Sequence, residues 1–201
     1  MPCYDTVARD TATSLFSLGL RIGLNPPEGL AWLGIDWRSS SNLPHSRAVL
    51  SERAVALHKA THVLWVDSDM AFPPDALHRL LARDVAYVGV SVPRRTVPHY
   101  ASARGLDGKP LPPGGKGIEE ASLVGFGVTL MRTELLAGLT APAFAHHDEE
   151  GYCSDDVVFC RKLREAGHKV YVDHDLSAQC RHVGSVAFGA EHVEAFAGEP
   201  A

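Results

Sequence analysis

The sequence predicts an α/β protein: one domain over residues 1–186, with a mainly parallel central sheet flanked by helices, and a tail over 187–201. Three observations carry that expectation. Residues 63–66, Val-Leu-Trp-Val, are a continuous apolar run with β-branched and aromatic members, the mark of a strand buried on both faces. Segments of strand and helix character alternate along the chain, as they do in a parallel α/β sheet. A length of 201 residues and an apolar fraction of 45% suit one domain with a full core.

The elements follow in order. Residues 7–20 place Val7, Ala8, Ala12, Leu15, Phe16 and Leu18 at helical spacing and read as an amphipathic helix. Residues 25–29 are a turn, and 30–35 read as a strand. Pro44 suits the first turn of a helix. Helical character continues to about residue 59, with Val49, Leu50, Ala54 and Leu57 inward. The 63–66 strand comes next. Pro73-Pro74-Asp75 opens a helix with Leu77, Leu80 and Leu81 on one face, and 85–92 is a further strand. Residues 93–117 are Pro/Gly-rich and lack periodicity, and a loop that long in a compact domain is functional or mobile. Residues 123–131 read as a strand in which Gly125 and Gly127 flank Phe126; glycine there marks close approach of a ligand or another backbone. A short helix over 132–136 and a loop over 138–153 lead to Ser154, which reads as an N-cap. The helix it starts runs to Ala166, with Asp155 and Asp156 in its first turn and Gly167 after its end. Residues 169–172 are the last strand, and 179–184 close the core.

Composition removes some function classes. Net charge is −5 and the pI about 6.1, which does not suit a general nucleic-acid binder, though a local basic patch is compatible with it. No apolar run approaches the roughly 18 residues that span a membrane, and the first residues lack the basic and apolar segments of a signal peptide. The expectation is a cytoplasmic protein without integral membrane contact. Cys3, Cys153, Cys160 and Cys180 form no Cys-x-x-Cys pair and read as reduced thiols.

The chemistry-bearing residues cluster at element ends. Asp67 and Asp69 follow the buried strand, where open α/β sheets place ligands. Two like charges there need a cation or hydrogen bonds to compensate them, and two oxygen ligands suit a hard divalent ion. A solvated Asx turn is the competing reading. Asp155 and Asp156 are either a capping acidic turn or acid–base groups, and His182 is either a half-buried histidine or a ligand. Residues 146–150, His-His-Asp-Glu-Glu, read as a solvated loop, because consecutive side chains point apart.

Three features then stand in order: Asp67-Ser68-Asp69 after a strand, Ser154-Asp155-Asp156 opening a helix, and His182-Val183-Gly184 near the end, with Gly125-Phe-Gly-Val-Thr-Leu-Met-Arg132 between them. Together they resemble the GT-A-fold glycosyltransferases, the Rossmann-like enzymes of the large inverting family that use nucleotide-diphosphate sugars. The resemblance spans residues 2–184. It implies that Asp69 ligates Mn²⁺ or Mg²⁺, that Asp67 faces the ribose or the metal, and that His182 completes the metal site. It implies Asp156 as catalytic base, with Asp155 standing where that family usually has Glu. Pro2 and Tyr4 resemble the loop bordering the nucleobase, Arg47 resembles an arginine near the nucleotide, and Ser68 lies within the Asp-x-Asp turn. Asp155 beside Asp156 opposes ionisation while the helix N-terminus favours it, so the residues alone leave the base's ionisation open.

Two other readings compete. One is a haloacid-dehalogenase-like phosphatase, whose nucleophile also sits in Asp-x-Asp after an apolar strand; that motif usually lies near the chain start with Thr or Val where Ala71 stands here. The other is a nonenzymatic nucleotide-sugar-binding domain. For the acceptor, residues 93–117 hold Arg94, Arg95, Arg104, Lys109 and Lys116 against Asp107, with His99 and Tyr100 among them. In an acidic chain this is a local reversal of sign. It suggests Arg94 and Arg95 as contacts for an anionic acceptor, such as DNA with a hydroxymethylated base or an anionic glycan.

Overall fold

The computed structural model describes residues 1–3, 6–95, 100–148 and 151–184. In chain order the strands are β1 (Pro2–Cys3), β2 (Arg38–Ser39), β3 (His62–Val66), β4 (Met70–Ala71), β5 (Tyr87–Gly89), β6 (Ala103–Gly105), β7 (Pro110–Leu111), β8 (Ile118–Leu123), β9 (Val128–Arg132), β10 (His147–Asp148), β11 (Gly151–Tyr152), β12 (Val170–Asp173) and β13 (Arg181–His182). The helices are α1 (Arg9–Leu24), α2 (Leu43–Glu52), α3 (Ala76–Ala82), α4 (Asp155–Glu165) and α5 (His174–Ser177). A π-helical turn, Arg53–Leu57, extends α2, and a 3₁₀ helix, Thr133–Gly138, follows β9.

Among the described residues, seven strands form the central sheet, in the order β3-β9-β5-β12-β8-β6-β7. The period-two alternation of its strands divides the core between the two faces. Trp65, Tyr87 and Met131 join one cluster with Leu50 of α2 and Phe159 and Leu163 of α4. Val66, Val88, Val128 and Leu130 join the other with Leu18 and Ile22 of α1 and Leu77 and Leu80 of α3. The 63–66 run is thus covered on both faces, with Trp65 and Val66 buried and Val63 and Leu64 partly buried.

The α/β class and the helix-flanked sheet match the sequence; strand pairing refines the picture. β3 and β5 are both antiparallel to β9, which lies between them, and β12 is parallel to β5. The expectation of a mainly parallel sheet is corrected: among the described residues β5–β12 is its one parallel neighbour pair and the other five pairs are antiparallel, because β9 inserts between β3 and β5 and β8 and its hairpin neighbours extend the sheet from β12. What reads as one strand over 123–131 is two. The chain leaves β8 beside β12, turns at Gly125-Phe126-Gly127, and re-enters as β9.

Other expectations change with local partners. Residues 30–35 form no strand; Trp32, Leu33 and Ile35 are exposed, and the strand that pairs with β1 is β2. α1 is turned relative to its apolar pattern. Ser14 Oγ accepts the Phe72 N–H at 3.0 Å and Leu18 and Ile22 are buried, which leaves Phe16 68% exposed. Leu57 lies outward on the π turn. The 93–117 stretch contains a hairpin, β6–β7, on the sheet edge. The four cysteines are free thiols, and no helix among the described residues is long and apolar enough to cross a membrane.

Gly89 shows how tightly β5 is enclosed. A Cβ there would lie 2.1 Å from Thr129 Oγ1 and 2.9 Å from Val124 Cγ1. Gly89→Ala is expected to destabilise the fold by about 1–3 kcal/mol through overpacking. A urea denaturation midpoint equal to that of the wild type would contradict this.

Candidate functional site

The site is assembled around α2. Asn42 caps this helix, its Oδ1 accepting the His45 N–H at 3.1 Å, and Pro44 preorganises the first turn. The inward stripe then carries Arg47, Leu50 and Ala54 at helical spacing. Arg47 is only 2% exposed. Its Nε donates to Asp155 Oδ2 at 2.7 Å and its Nη2 to Asp67 Oδ1 at 2.9 Å. The guanidinium lies 4.2 Å from the centre of the Phe126 ring and 5.4 Å from that of Trp65, within cation–π range. Burial alone would lower the pKa of Arg47; the two carboxylates outweigh this and hold it above its ordinary value. Its Nη1 is buried without a hydrogen-bond partner among the described residues.

The end of β3 is fixed by backbone contacts. The Asp67 N–H donates to Gly127 O at 2.9 Å, and Ser68 O accepts the Ala8 N–H at 2.8 Å at the entry to α1. β4 continues from the Asp-x-Asp turn and pairs antiparallel with β13, setting His182 opposite Met70. The Val183 N–H donates to Asp69 O at 2.7 Å. In consequence His182 Nε2 lies 3.4 Å from Asp69 Oδ2. The other ring nitrogen, Nδ1, donates to the Pro93 carbonyl at 3.1 Å. Arg95 reaches the same carboxylate oxygen, Nη2 to Oδ2 at 2.7 Å. Burial would raise the Asp69 pKa, but His182 and Arg95 together hold it below the usual carboxylate value. The hydrogen bond to Asp69 raises the His182 pKa above that of a free histidine.

At the start of α4, Asp155 and Asp156 have different surroundings. Asp155 is 5% exposed and bound to Arg47. Asp156 accepts the Ser154 hydroxyl and, at 2.9 Å, the Val157 N–H on Oδ1. Its Oδ2 faces Gly125, where a Cβ would approach to 3.2 Å. Burial is the main cause that pushes the Asp156 pKa up, and neighbouring Asp155 adds to it; the Ser154 and Val157 hydrogen bonds oppose it.

The structure therefore brings together Arg47, Asp67 and Asp155 in one network and Asp69, His182 and Arg95 in another, joined through the Asp-x-Asp turn. Asp69 and His182 are the pair that could share a cation; no group of three His, Cys, Asp or Glu residues suited to a metal occurs among the described residues. Asp67 is turned toward Arg47. Pro2 is buried in β1, and Tyr4 and His99 lie outside the described residues. The Arg94 N–H donates to Tyr100 O at 2.7 Å, while Arg95 sits on Asp69 rather than apart from it. Sequence reasoning missed the bridging role of Arg47, although its spacing with Leu50 and Ala54 places it on the inward stripe. It also missed Arg95 on Asp69, for which no local pattern gives a signal.

No family model matches the chain, and no curated protein matches it in sequence. Solved structures do. The A197 protein from STIV superposes with a TM-score of 0.53 at 12% identity, over 93% of this chain and 96% of that one. GalNAc-T7, solved with UDP, GalNAc and Mn²⁺, superposes with a TM-score of 0.52 at 12% identity, over 92% of this chain and 37% of that one. The chain thus spans well under half of the GalNAc-T7 chain. These likenesses support the GT-A-type α/β fold.

The Arg47 network makes a quantitative prediction. Arg47→Ala strands the buried Asp155 carboxylate and is expected to cost roughly 3–5 kcal/mol. Asp67→Asn should cost much less, since that side chain is 34% exposed and water can reach it. Urea denaturation of both variants checks the ranking; equal losses would contradict the bridge.

Proposed function

We propose that the protein is a metal-dependent glycosyltransferase that moves a sugar from a nucleotide-diphosphate sugar to a hydroxyl acceptor. The observation that carries this reading is the β4–β13 pairing, which sets His182 beside Asp69 at the end of β3, with Asp67 and Asp155 gathered around Arg47.

The residues fit a divalent cation. A carboxylate oxygen and an imidazole nitrogen 3.4 Å apart can both ligate one ion. With Nδ1–H held on the Pro93 carbonyl, Nε2 is the nitrogen that would give up its proton to ligate an ion beside Asp69. Asp69 and His182 would hold Mn²⁺ or Mg²⁺, with Asp67 and solvent near by. The ion, when bound, neutralises the diphosphate charge that develops as the sugar–phosphate bond breaks. In the same reading Pro2, Tyr4, Arg47 and Ser68 are assigned to the nucleotide side of the site from their places in the sequence.

Asp156 is the proposed base. Among the described residues it has no cationic hydrogen-bond partner of the kind Asp155 has, so it can accept the acceptor's hydroxyl proton. Asp155 instead fixes Arg47, which makes it a positioning residue. The phosphatase alternative asks Asp67 to attack phosphorus freely, whereas here it is hydrogen-bonded to Arg47. Transfer by the wild type separates the enzyme from a domain that only binds nucleotide sugar. The basic stretch around Arg94 suits an anionic acceptor, including hydroxymethylated DNA; activity on such a compound should fall with salt.

Two experiments test the reading. Mn²⁺ together with a nucleoside diphosphate should raise the thermal midpoint of the wild type by linkage, and Asp69→Asn should abolish that rise; a rise of equal size in the variant would overturn the metal site. Asp156→Asn should retain this binding and lose transfer by roughly 10²-fold or more. The pH profile follows from the raised Asp156 pKa. The base works only when ionised, so kcat/KM should climb with pH through a limb lying above the ordinary carboxylate value of 3.8. The limb should vanish in the residual activity of Asp156→Asn. A limb that persists there places the base elsewhere.

A further inference from the structure

The Asp69 carboxylate has a partner that the order of motifs does not account for. Arg95 Nη2 lies 2.7 Å from Asp69 Oδ2, the same oxygen that faces His182 Nε2 at 3.4 Å. Arg95 Nη1 is 3.5 Å from Val183 O. The stem of the arginine crosses Gly184, where a Cβ would come within 2.9 Å of Arg95 Cδ. No left-handed backbone angle explains this glycine; what it provides is room for the arginine.

A divalent cation shared with His182 would approach the same Oδ2 that now receives Arg95, and two positive groups at one oxygen repel, so each weakens the hold of the other. Arg95 is 53% exposed along its side chain, so it can swing away at little packing cost. The planar fork of arginine matches phosphate oxygens two at a time. We propose that Arg95 is a diphosphate-binding residue held on Asp69 until the cation arrives: the cation takes the carboxylate, and the released guanidinium takes a phosphate of the nucleoside diphosphate. The inference rests on the metal and donor site of the preceding section. It reassigns Arg95 from the acceptor to the donor.

The exchange has a thermodynamic signature. Cation alone must break the Arg95–Asp69 pair without compensation, and the diphosphate alone meets an arginine already engaged. Together each relieves the cost of the other, so they bind cooperatively, and the coupling is reciprocal. Removing Arg95 removes the competitor and the phosphate contact at once. Gly184→Ala keeps the charge but crowds the arginine off its seat, and it serves as a second variant should Arg95→Ala perturb the loop.

Isothermal titration of the full chain with MnCl₂ alone, and with UDP or GDP in saturating MnCl₂, tests this. For Arg95→Ala the expected results are about tenfold tighter Mn²⁺ binding and about tenfold weaker diphosphate binding, within the usual span of coupling between sites. Gly184→Ala should tighten Mn²⁺ binding in the same direction by a smaller factor. Unchanged Mn²⁺ affinity in both variants, with the wild type binding Mn²⁺ and diphosphate normally, overturns the exchange and leaves the proposed site standing. Tighter Mn²⁺ binding with unchanged diphosphate affinity overturns the phosphate contact. Absence of Mn²⁺ binding by all three proteins, with or without diphosphate, overturns the site and the exchange together.

Discussion

A guanidinium buried between two carboxylates ties the end of β3 to the start of α4. Arg47 supplies one donor to Asp67 and another to Asp155, and its face rests on Phe126. A buried charge network of this kind is weak evidence for extra stability, because desolvation opposes the Coulomb gain. It is strong evidence for position, because Arg47 and Asp155 cannot part without stranding a buried charge. Asp156 follows Asp155 in α4, and Asp69 lies one turn of chain beyond Asp67. Both side chains therefore inherit their places from this bridge.

The division of labour among the carboxylates follows from their partners rather than from their residue type. Asp155 is neutralised by Arg47, and Asp69 is held below the usual carboxylate value by His182 and Arg95. Asp156 accepts a hydroxyl and a backbone N–H on one oxygen, and burial keeps its proton affinity high. Four acids are thus split into a pair bound to Arg47, a carboxylate paired with His182 and Arg95, and one whose proton affinity burial raises. Separation of proton affinities between neighbouring carboxylates is the recurring route to acid–base roles. Gly125-Phe126-Gly127 serves three of them: Gly125 gives space to Asp156, Phe126 underlies the Arg47 that binds Asp155, and the Gly127 carbonyl holds the Asp67 N–H.

Much of this was legible in the sequence because it is local. The 63–66 run, the Asp-x-Asp turn after it, and the Ser154-Asp155-Asp156 helix start each announce themselves within a few residues. The glycines around Phe126 signalled close approach, and the structure supplies what approaches. Non-local choices were not legible. Nothing within 123–131 says that its two halves belong beside different strands, and nothing within 30–35 says that its apolar residues find no partner strand. Likewise Arg95 meets Asp69 only because β13 pairs with β4 and brings residues 183 and 184 under it. Sequence periodicity reports which face of an element is apolar; it does not report which distant element will cover that face.

The arrangement can be read most directly at the histidines, of which the chain has eleven. A titration of substoichiometric Mn²⁺ into the full chain, followed by NMR of the imidazole signals, locates the ion by paramagnetic broadening. The account predicts that His182 broadens first and most, that adding a nucleoside diphosphate sharpens this selectivity, and that Asp69→Asn removes it. Broadening that begins at His146 or His147, or that spreads evenly over all the imidazoles, would contradict a cation site at Asp69 and His182.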